Sequence, residues 1–238
     1  MIPKIIHYCW FGGNPKTELI NKCIQSWKQY MPDYEIMEWN EKNFDVNQCS
    51  FSADAYNVKK WAFVSDYARF KVLEQYGGVY FDTDVELLKP IPEEILSKNA
   101  FSGVESSSNL ISPGLVFGCI PQYSIVKELV NEYEKALFDV DNPKIVNRFT
   151  TEVLQKKGYV VNGEYQIVGD MAIYDADVFC GYDIDINEVK ITERTISVHH
   201  YASSWMNIGL KRKIQNLIKK VFGINAYRRL LMLKRRLK

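Results

Sequence analysis

The chain has 238 residues, 47% of them apolar and 13% aromatic, which excludes a disordered segment and suits one domain with a substantial core. Its 30 basic and 29 acidic residues nearly cancel, but not locally. Residues 211–238 hold eleven Lys and Arg and no acid, leaving residues 1–210 at a net charge of −10. An asymmetry of this kind points to an anionic partner for the tail. The five cysteines are odd in number, widely spaced and free of any CxxC pair. That pattern argues against a disulfide framework or a zinc site and predicts a reducing, cytoplasmic setting. The start, MIPKIIHYCWFGG, lacks the basic end, long apolar run and cleavage site of a signal peptide, and no run of ~20 apolar residues exists to span a membrane.

In chain order, residues 4–10 read as a buried strand closed by Gly12-Gly13. Residues 17–30 read as a helix, with Leu19, Ile20, Cys23, Ile24 and Trp27 at helical spacing, and 34–39 as a second strand. Residues 61–76 give the clearest helix, with an apolar stripe of Trp61, Val64, Ala68, Val72 and Tyr76. Gly77-Gly78 stops it, and Val79-Tyr80-Phe81 runs as a buried strand into Asp82-Thr83-Asp84. Residues 91–122 are mixed in pattern, with a loop at 106–109 and no assigned element. Helices are expected at 124–138 and 146–157, and strands at 165–168 and 195–200. The tail divides at Gly223 into two basic helices. In the first, Leu210, Ile214, Leu217, Ile218 and Val221 share a face. The expected division is a catalytic body at 1–207 and a basic amphipathic tail at 208–238.

The chemistry gathers around the helix at 61–76. Asp66 and Arg69 are three apart and share a face. Counting back from Tyr76 at 1.5 Å per residue puts Arg69 about 10 Å and Asp66 about 15 Å away. Counting forward from Gly78 at roughly 3.3 Å per residue puts Asp82 about 13 Å away. A strand returning along the helix therefore brings Asp66, Arg69, Asp82 and Asp84 to one level, beyond the carboxyl end of a strand, where open α/β sheets bind ligands. Three carboxylates there call for a cation. Hard divalent metals take oxygen ligands, and Mg²⁺ or Mn²⁺ bridges carboxylates to substrate phosphates. Arg69 adds a forked donor, so a nucleotide diphosphate with its metal fits the set. Each part has a blander reading. The aspartate pair could cap a helix, Asp66 and Arg69 could form a simple helix ion pair, Trp10 could be core, and His7 on its apolar strand reads as a satisfied core histidine.

The run SDYARFKVLEQYGGVYFDTDV resembles the signature of glycosyltransferases with a DXD sugar-binding region. This family includes capsular polysaccharide and initiating mannosyltransferase-like enzymes and is related to the catalytic domain of bacterial glucosylating toxins. IPKIIHYCWFGG is similar to the family's opening strand and HHYASSW to its closing loop. The resemblance implies an α/β fold of GT-A type, a single domain with a Rossmann-like mixed sheet flanked by helices, followed by the basic tail. It implies that Trp10 stacks on the nucleotide base and that Asp66 and Arg69 contact the donor sugar's hydroxyls. Asp82 would bind ribose or sugar and approach the metal, and Asp84 would ligate it directly. His200 and Ser203 would complete the metal shell or hold the diphosphate, and Trp205 would close over it. His199 and His200 alternate along a strand, so only one of them faces the site; alternation leaves open which, and the resemblance implies His200.

The implied activity is retaining transfer of a hexose or N-acetylhexosamine from a nucleotide-sugar, a UDP-sugar ahead of a GDP-sugar, to a glycan acceptor in cell-surface polysaccharide synthesis. Residues 102–118 are assigned to the acceptor side. The basic tail suits the inner face of a cell membrane, where a lipid-linked oligosaccharide acceptor would be presented; the alternative is a helix packed on the acidic body. With Phe222 and Tyr227 as its aromatics, the tail does not suggest nucleic-acid binding. Two other classes remain. VYFDTDV also fits the first motif of haloacid-dehalogenase-type phosphatases, with Asp82 as nucleophile, Asp84 as general acid and Gly169-Asp170 with Asp175 as the late metal motif. A non-catalytic nucleotide-sugar-binding protein would keep the same residues without turnover.

Overall fold

A computed structural model describes residues 1–183, 188–202 and 223. The tail at 208–238, Gly223 apart, lies outside the described residues, as do Ser203 and Trp205. Strand β1 (Ile5–Cys9) leads to helix α1 (Glu18–Tyr30), and β2 (Glu35–Trp39) follows. A 3-10 turn (Val46–Gln48) and α2 (Ser50–Asn57) precede α3 (Trp61–Tyr76), which runs into β3 (Gly78–Tyr80) and β4 (Val85–Leu87). Next come α4 (Glu93–Leu96), β5 (Ala100–Gly103) and β6 (Phe117–Cys119), then α5 (Ser124–Lys135) and α6 (Val146–Gln155). Strands β7 (Gln166–Val168) and β8 (Met171–Tyr174), helix α7 (Ala176–Phe179), the short pair β9 (Tyr182–Asp183) and β10 (Glu188–Val189), and β11 (Ser197–His199) complete it.

Seven strands form one mixed sheet in the order β2-β1-β3-β6-β5-β8-β7. β1 pairs in parallel with both β2 and β3, while β6 runs antiparallel to β3 and β5, so β3, β5 and β8 all point the same way. The carboxyl ends of β1, β3, β5 and β8 therefore share one edge. One core, centred on α2, α3, α5 and α6, covers one face. A second, with Ile20, Ile24 and Trp27 of α1 and Ile95, Val178 and Phe179, covers the other. The result is the helix-flanked α/β architecture expected for a GT-A-type domain.

Local chemistry explains the well-read elements. Thr17 caps α1, its hydroxyl accepting from the Ile20 N–H at 3.4 Å. α3 ends at Gly77 (φ 62), whose N–H closes on the Leu73 carbonyl. Gly78 (φ 97) has no room for a Cβ, which would stand 2.6 Å from the Ile5 carbonyl oxygen across the sheet. His7 is fully buried. Its Nδ1 accepts from Trp39 Nε1 at 3.0 Å, so its Nε2–H donates to the Gly77 carbonyl at 2.8 Å. Both nitrogens are satisfied in the neutral ring, as a core histidine requires.

Two expectations change. α3 is not half-exposed behind a single stripe: Phe63, Val64, Asp66, Tyr67, Ala68, Arg69, Phe70, Val72 and Leu73 are all buried. A helix wrapped by α2, α5 and the sheet loses its polar face. The stretch at 91–122 holds α4, β5 and β6, two of them strands central to the sheet. Centrally placed strands read as short apolar runs without alternation, which periodicity cannot assign. All five cysteines are free and buried. Among the described residues, no helix is long and apolar enough to cross a membrane.

Candidate active site

The site lies at the shared carboxyl edge. Asp82 leaves β3 with its N–H bonded to the Gly114 carbonyl at 2.9 Å. α3 runs back along this edge and delivers Asp66 and Arg69, 6% and 3% exposed. Arg69 Nη2 donates to Asp66 Oδ1 at 2.7 Å and reaches Asp82 Oδ1 at 3.3 Å, while its Nε holds the Ser65 carbonyl at 3.2 Å. Tyr80 supports the trio from below. Its hydroxyl donates to Asp82 Oδ1 at 3.1 Å, and its ring lies 4.9 Å from the guanidinium carbon. The helix and strand rises thus bring Asp66, Arg69 and Asp82 together as expected. Arg69 Nη1 is buried without a partner in this set.

One arginine faces two carboxylates, Asp66 buried and Asp82 partly exposed. Burial, with Asp82 adding to it and Arg69 opposing, pushes the Asp66 carboxyl up to about 7. The Arg69 guanidinium is also raised: its own desolvation works against the charge, but Asp82, Tyr80 and Asp66 outweigh it and hold it charged.

Asp84 is held separately. β11 pairs antiparallel with β4, and His199 stands opposite Val85. His199 Nε2 meets Asp84 Oδ1 at 2.9 Å, and the Ala202 N–H donates to Oδ2 at 2.7 Å. Tyr201, at φ 47, turns the chain to bring that N–H in. Burial opposes ionisation of Asp84, but His199 and the Ala202 amide outweigh it and hold the carboxyl down to about 2. His199 is raised by the same carboxylate against its burial.

His200, expected in the metal shell, faces Glu86 in this structure, while His199 faces Asp84. The His200 Nε2 bonds Glu86 Oε2 at 2.8 Å, and Glu86 also pairs with Lys22 at 2.8 Å. The reason is strand alternation: cross-strand neighbours share a face, so His199 opposite the buried Val85 points inward and His200 points outward. Sequence reasoning also passed over Tyr80 and Gly114. Tyr80 could have been found, since it stands two residues before Asp82 on the same strand face.

Trp10 follows β1 at the same edge, half-buried, with Nε1 donating to the Asn14 carbonyl at 2.7 Å. Lys16 Nζ lies 5.7 Å from its ring centroid and pairs with Glu38 at 2.7 Å. Ser203 and Trp205, expected to complete the site, lie outside the described residues.

Asp82 and Asp84 offer hard oxygen donors of the kind Mg²⁺ or Mn²⁺ takes, and Asp84 is firmly ionised. Among the described residues, no three His, Cys, Asp or Glu side chains gather as a complete metal cage. The phosphatase reading fares worse. Asp170 precedes β8 and bonds Asn99 at 2.7 Å and Tyr123 at 2.6 Å, at the amino edge of the sheet and opposite Asp82. Asp175 is engaged by Arg194 at 2.6 Å.

Residues 17–102 match the family model described as glycosyltransferase sugar-binding region containing DXD motif. Over 126 residues the chain is 27% identical to the human alpha-1,4-N-acetylglucosaminyltransferase, covering 51% of this chain and 32% of that protein. Over 110 residues it is 32% identical to inositol phosphoceramide mannosyltransferase 1 of Schizosaccharomyces pombe, covering 42% and 33%. The chain thus spans about a third of the length of these curated relatives. Among solved structures it is similar to the PaToxG glycosyltransferase, with a TM-score of 0.50 at 18% identity, covering 66% of this chain and 70% of that one. At that identity the likeness is one of fold.

Proposed function

We propose that the chain is a metal-dependent glycosyltransferase, a reading supported by the match of residues 17–102 to the DXD sugar-binding family model. It moves a hexose or N-acetylhexosamine from a nucleotide-sugar to a glycan acceptor. The observation that carries this reading is the Asp66–Arg69–Asp82 trio at the carboxyl edge of the sheet, buried at Asp66 and Arg69 and partly exposed at Asp82, with the ionised Asp84 two residues on. Carboxylate oxygens and a guanidinium fork at one spot match a ligand rich in hydroxyls, and their burial makes each hydrogen bond to it count.

Asp82 and Asp84 would hold a divalent cation, which supplies Lewis-acid stabilisation of the charge on a departing diphosphate. Arg69 provides fixed positive charge beside the reacting sugar without reorganisation, because Asp66, Asp82 and the Ser65 carbonyl already orient it. Tyr80 keeps Asp82 in place. Trp10 offers a flat face at the same edge for a nucleotide base. Asp66 and Asp82 are both committed to Arg69, which favours direct front-face attack by an acceptor hydroxyl and hence retention. Trapping a glycosyl-enzyme adduct would overturn that part.

A UDP-sugar donor, a lipid-linked oligosaccharide acceptor and a role in cell-surface polysaccharide synthesis belong to the same proposal. So does attachment of 208–238 to the anionic inner face of a cell membrane, supported by its eleven basic residues and apolar stripe. Membrane fractionation of a chain truncated after residue 207 tests this; unchanged association sinks it. The central experiment is a screen of nucleotide-sugars for Mn²⁺- or Mg²⁺-dependent hydrolysis, run beside a phosphate ester. Turnover of the ester alone would install the phosphatase. Nucleotide binding without turnover would leave a binding protein.

A further inference from the structure

Gly114 sits in a turn closed by the Leu115 N–H on the Ser112 carbonyl at 3.0 Å, with Pro113 at its first central position. Its φ lies outside the left-handed region, so backbone conformation does not demand glycine there. Space does. A Cβ on Gly114 would overlap Asp82 Oδ2, stand 2.8 Å from Asp82 Cγ and lie 3.3 Å from Arg69 Nη1. We infer that Gly114 is a positioning residue for the donor site: its bare Cα is the seat against which the Asp82 carboxylate is set.

The seat is rigid from both sides. The Asp82 N–H is tied to the Gly114 carbonyl, Phe81 N–H to His7 and Val85 N–H to the Asp82 carbonyl. On the other side, the Ser112 N–H bonds the Gly103 carbonyl, the Ile111 N–H bonds Thr151, and Ile111 and Leu115 are fully buried. Neither backbone can retreat from an added methyl group without breaking these bonds. The carboxylate must rotate instead, and rotation takes Oδ1 away from both Arg69 Nη2 and the Tyr80 hydroxyl. An added methyl group at Gly114 therefore acts on Asp82 and Arg69, not on the fold at large. This extends the expected acceptor-side segment at 102–118 into the donor site. It rests on the donor-site reading for its consequence in activity but not for its geometry.

The test is a mutant cycle on the full chain: wild type, Gly114→Ala, Asp82→Ala and the double variant. Gly114→Ala should lower Tm by about 5 °C in the wild-type background, as the buried Arg69 loses one of its partners. In the Asp82→Ala background the methyl group enters vacated space, and the drop should vanish. An equal drop in both backgrounds overturns the inference, because the methyl group would then be clashing with something other than Asp82. On any nucleotide-sugar that the wild type hydrolyses with Mn²⁺, Gly114→Ala should reduce kcat by about a hundredfold. Wild-type kinetics in that variant also overturns it. If the wild type turns over none of the donors, the glycosyltransferase reading is what fails, and the Tm cycle still decides the role of Gly114.

Discussion

The two aspartates of the DTD motif stand two residues apart but are held by different parts of the chain. Asp82 belongs to the α3–β3 unit: Arg69 grips it from the preceding helix and Tyr80 from its own strand. Asp84 belongs to the far end of the described chain, where His199 and the Ala202 amide fix both its oxygens. The first arrangement follows from a helix and a strand joined by a tight turn. The second requires β11 to return across more than a hundred residues and pair with β4 in one register. A motif that reads as a unit is thus assembled from a local half and a long-range half, and mutations in the two halves should fail differently.

The largest effect should come from the local half. Arg69→Ala leaves the buried Asp66 carboxyl beside the partly exposed Asp82 without a counter-charge, which should cost about 3–5 kcal/mol in urea denaturation. A loss under 1 kcal/mol would mean the trio is hydrated. Asp84→Ala should instead retain the far-UV circular dichroism of the folded chain while metal-dependent transfer falls about a thousandfold. Wild-type rates would remove Asp84 from the metal assignment.

His7 sharpens the comparison through pH, because it lies beneath the Gly77 turn that joins α3 to β3. Burial lowers its pKa from 6.5 to about 4. The unfolded chain therefore binds the proton first, and this contribution to stability is present above pH 6.5 and lost as pH falls toward 4. The full loss is about 3 kcal/mol, from the relation between pKa shift and free energy. Chemical denaturation across that range, with His7→Gln as the reference lacking the titration, measures it; parallel curves would reject the assignment.

The smallest effects divide the histidine pair. His199→Asn should weaken Mn²⁺ affinity about 10–100-fold by releasing the Asp84 carboxylate. His200→Ala loses a partly exposed contact with Glu86 and should cost no more than about 1 kcal/mol of stability, with little change in Mn²⁺ affinity. The opposite ranking in a manganese titration would restore His200 to the site.

How much of this was legible follows from the range of the interactions. α3 has the bounds its sequence predicts, its C-terminal end marked by the local chemistry of Gly77. The meeting of Asp66, Arg69 and Asp82 could be computed from two rises and one turn. His7 was read as core because an imidazole on an apolar strand needs two neutral partners, and it has them. Strands β5 and β6 were not legible, because short strands buried within a sheet carry no alternation.

The sequence by itself determined the helix–turn–strand unit that brings Asp66, Arg69 and Asp82 together, because it depends on residues within one supersecondary element. Only the tertiary structure decided which histidine stands beside Asp84, that α3 is buried on nearly every side, and that Gly114 is where the Asp82 carboxylate rests. Each of these depends on the register of a distant strand or on packing between segments tens of residues apart, and neither is written in local spacing.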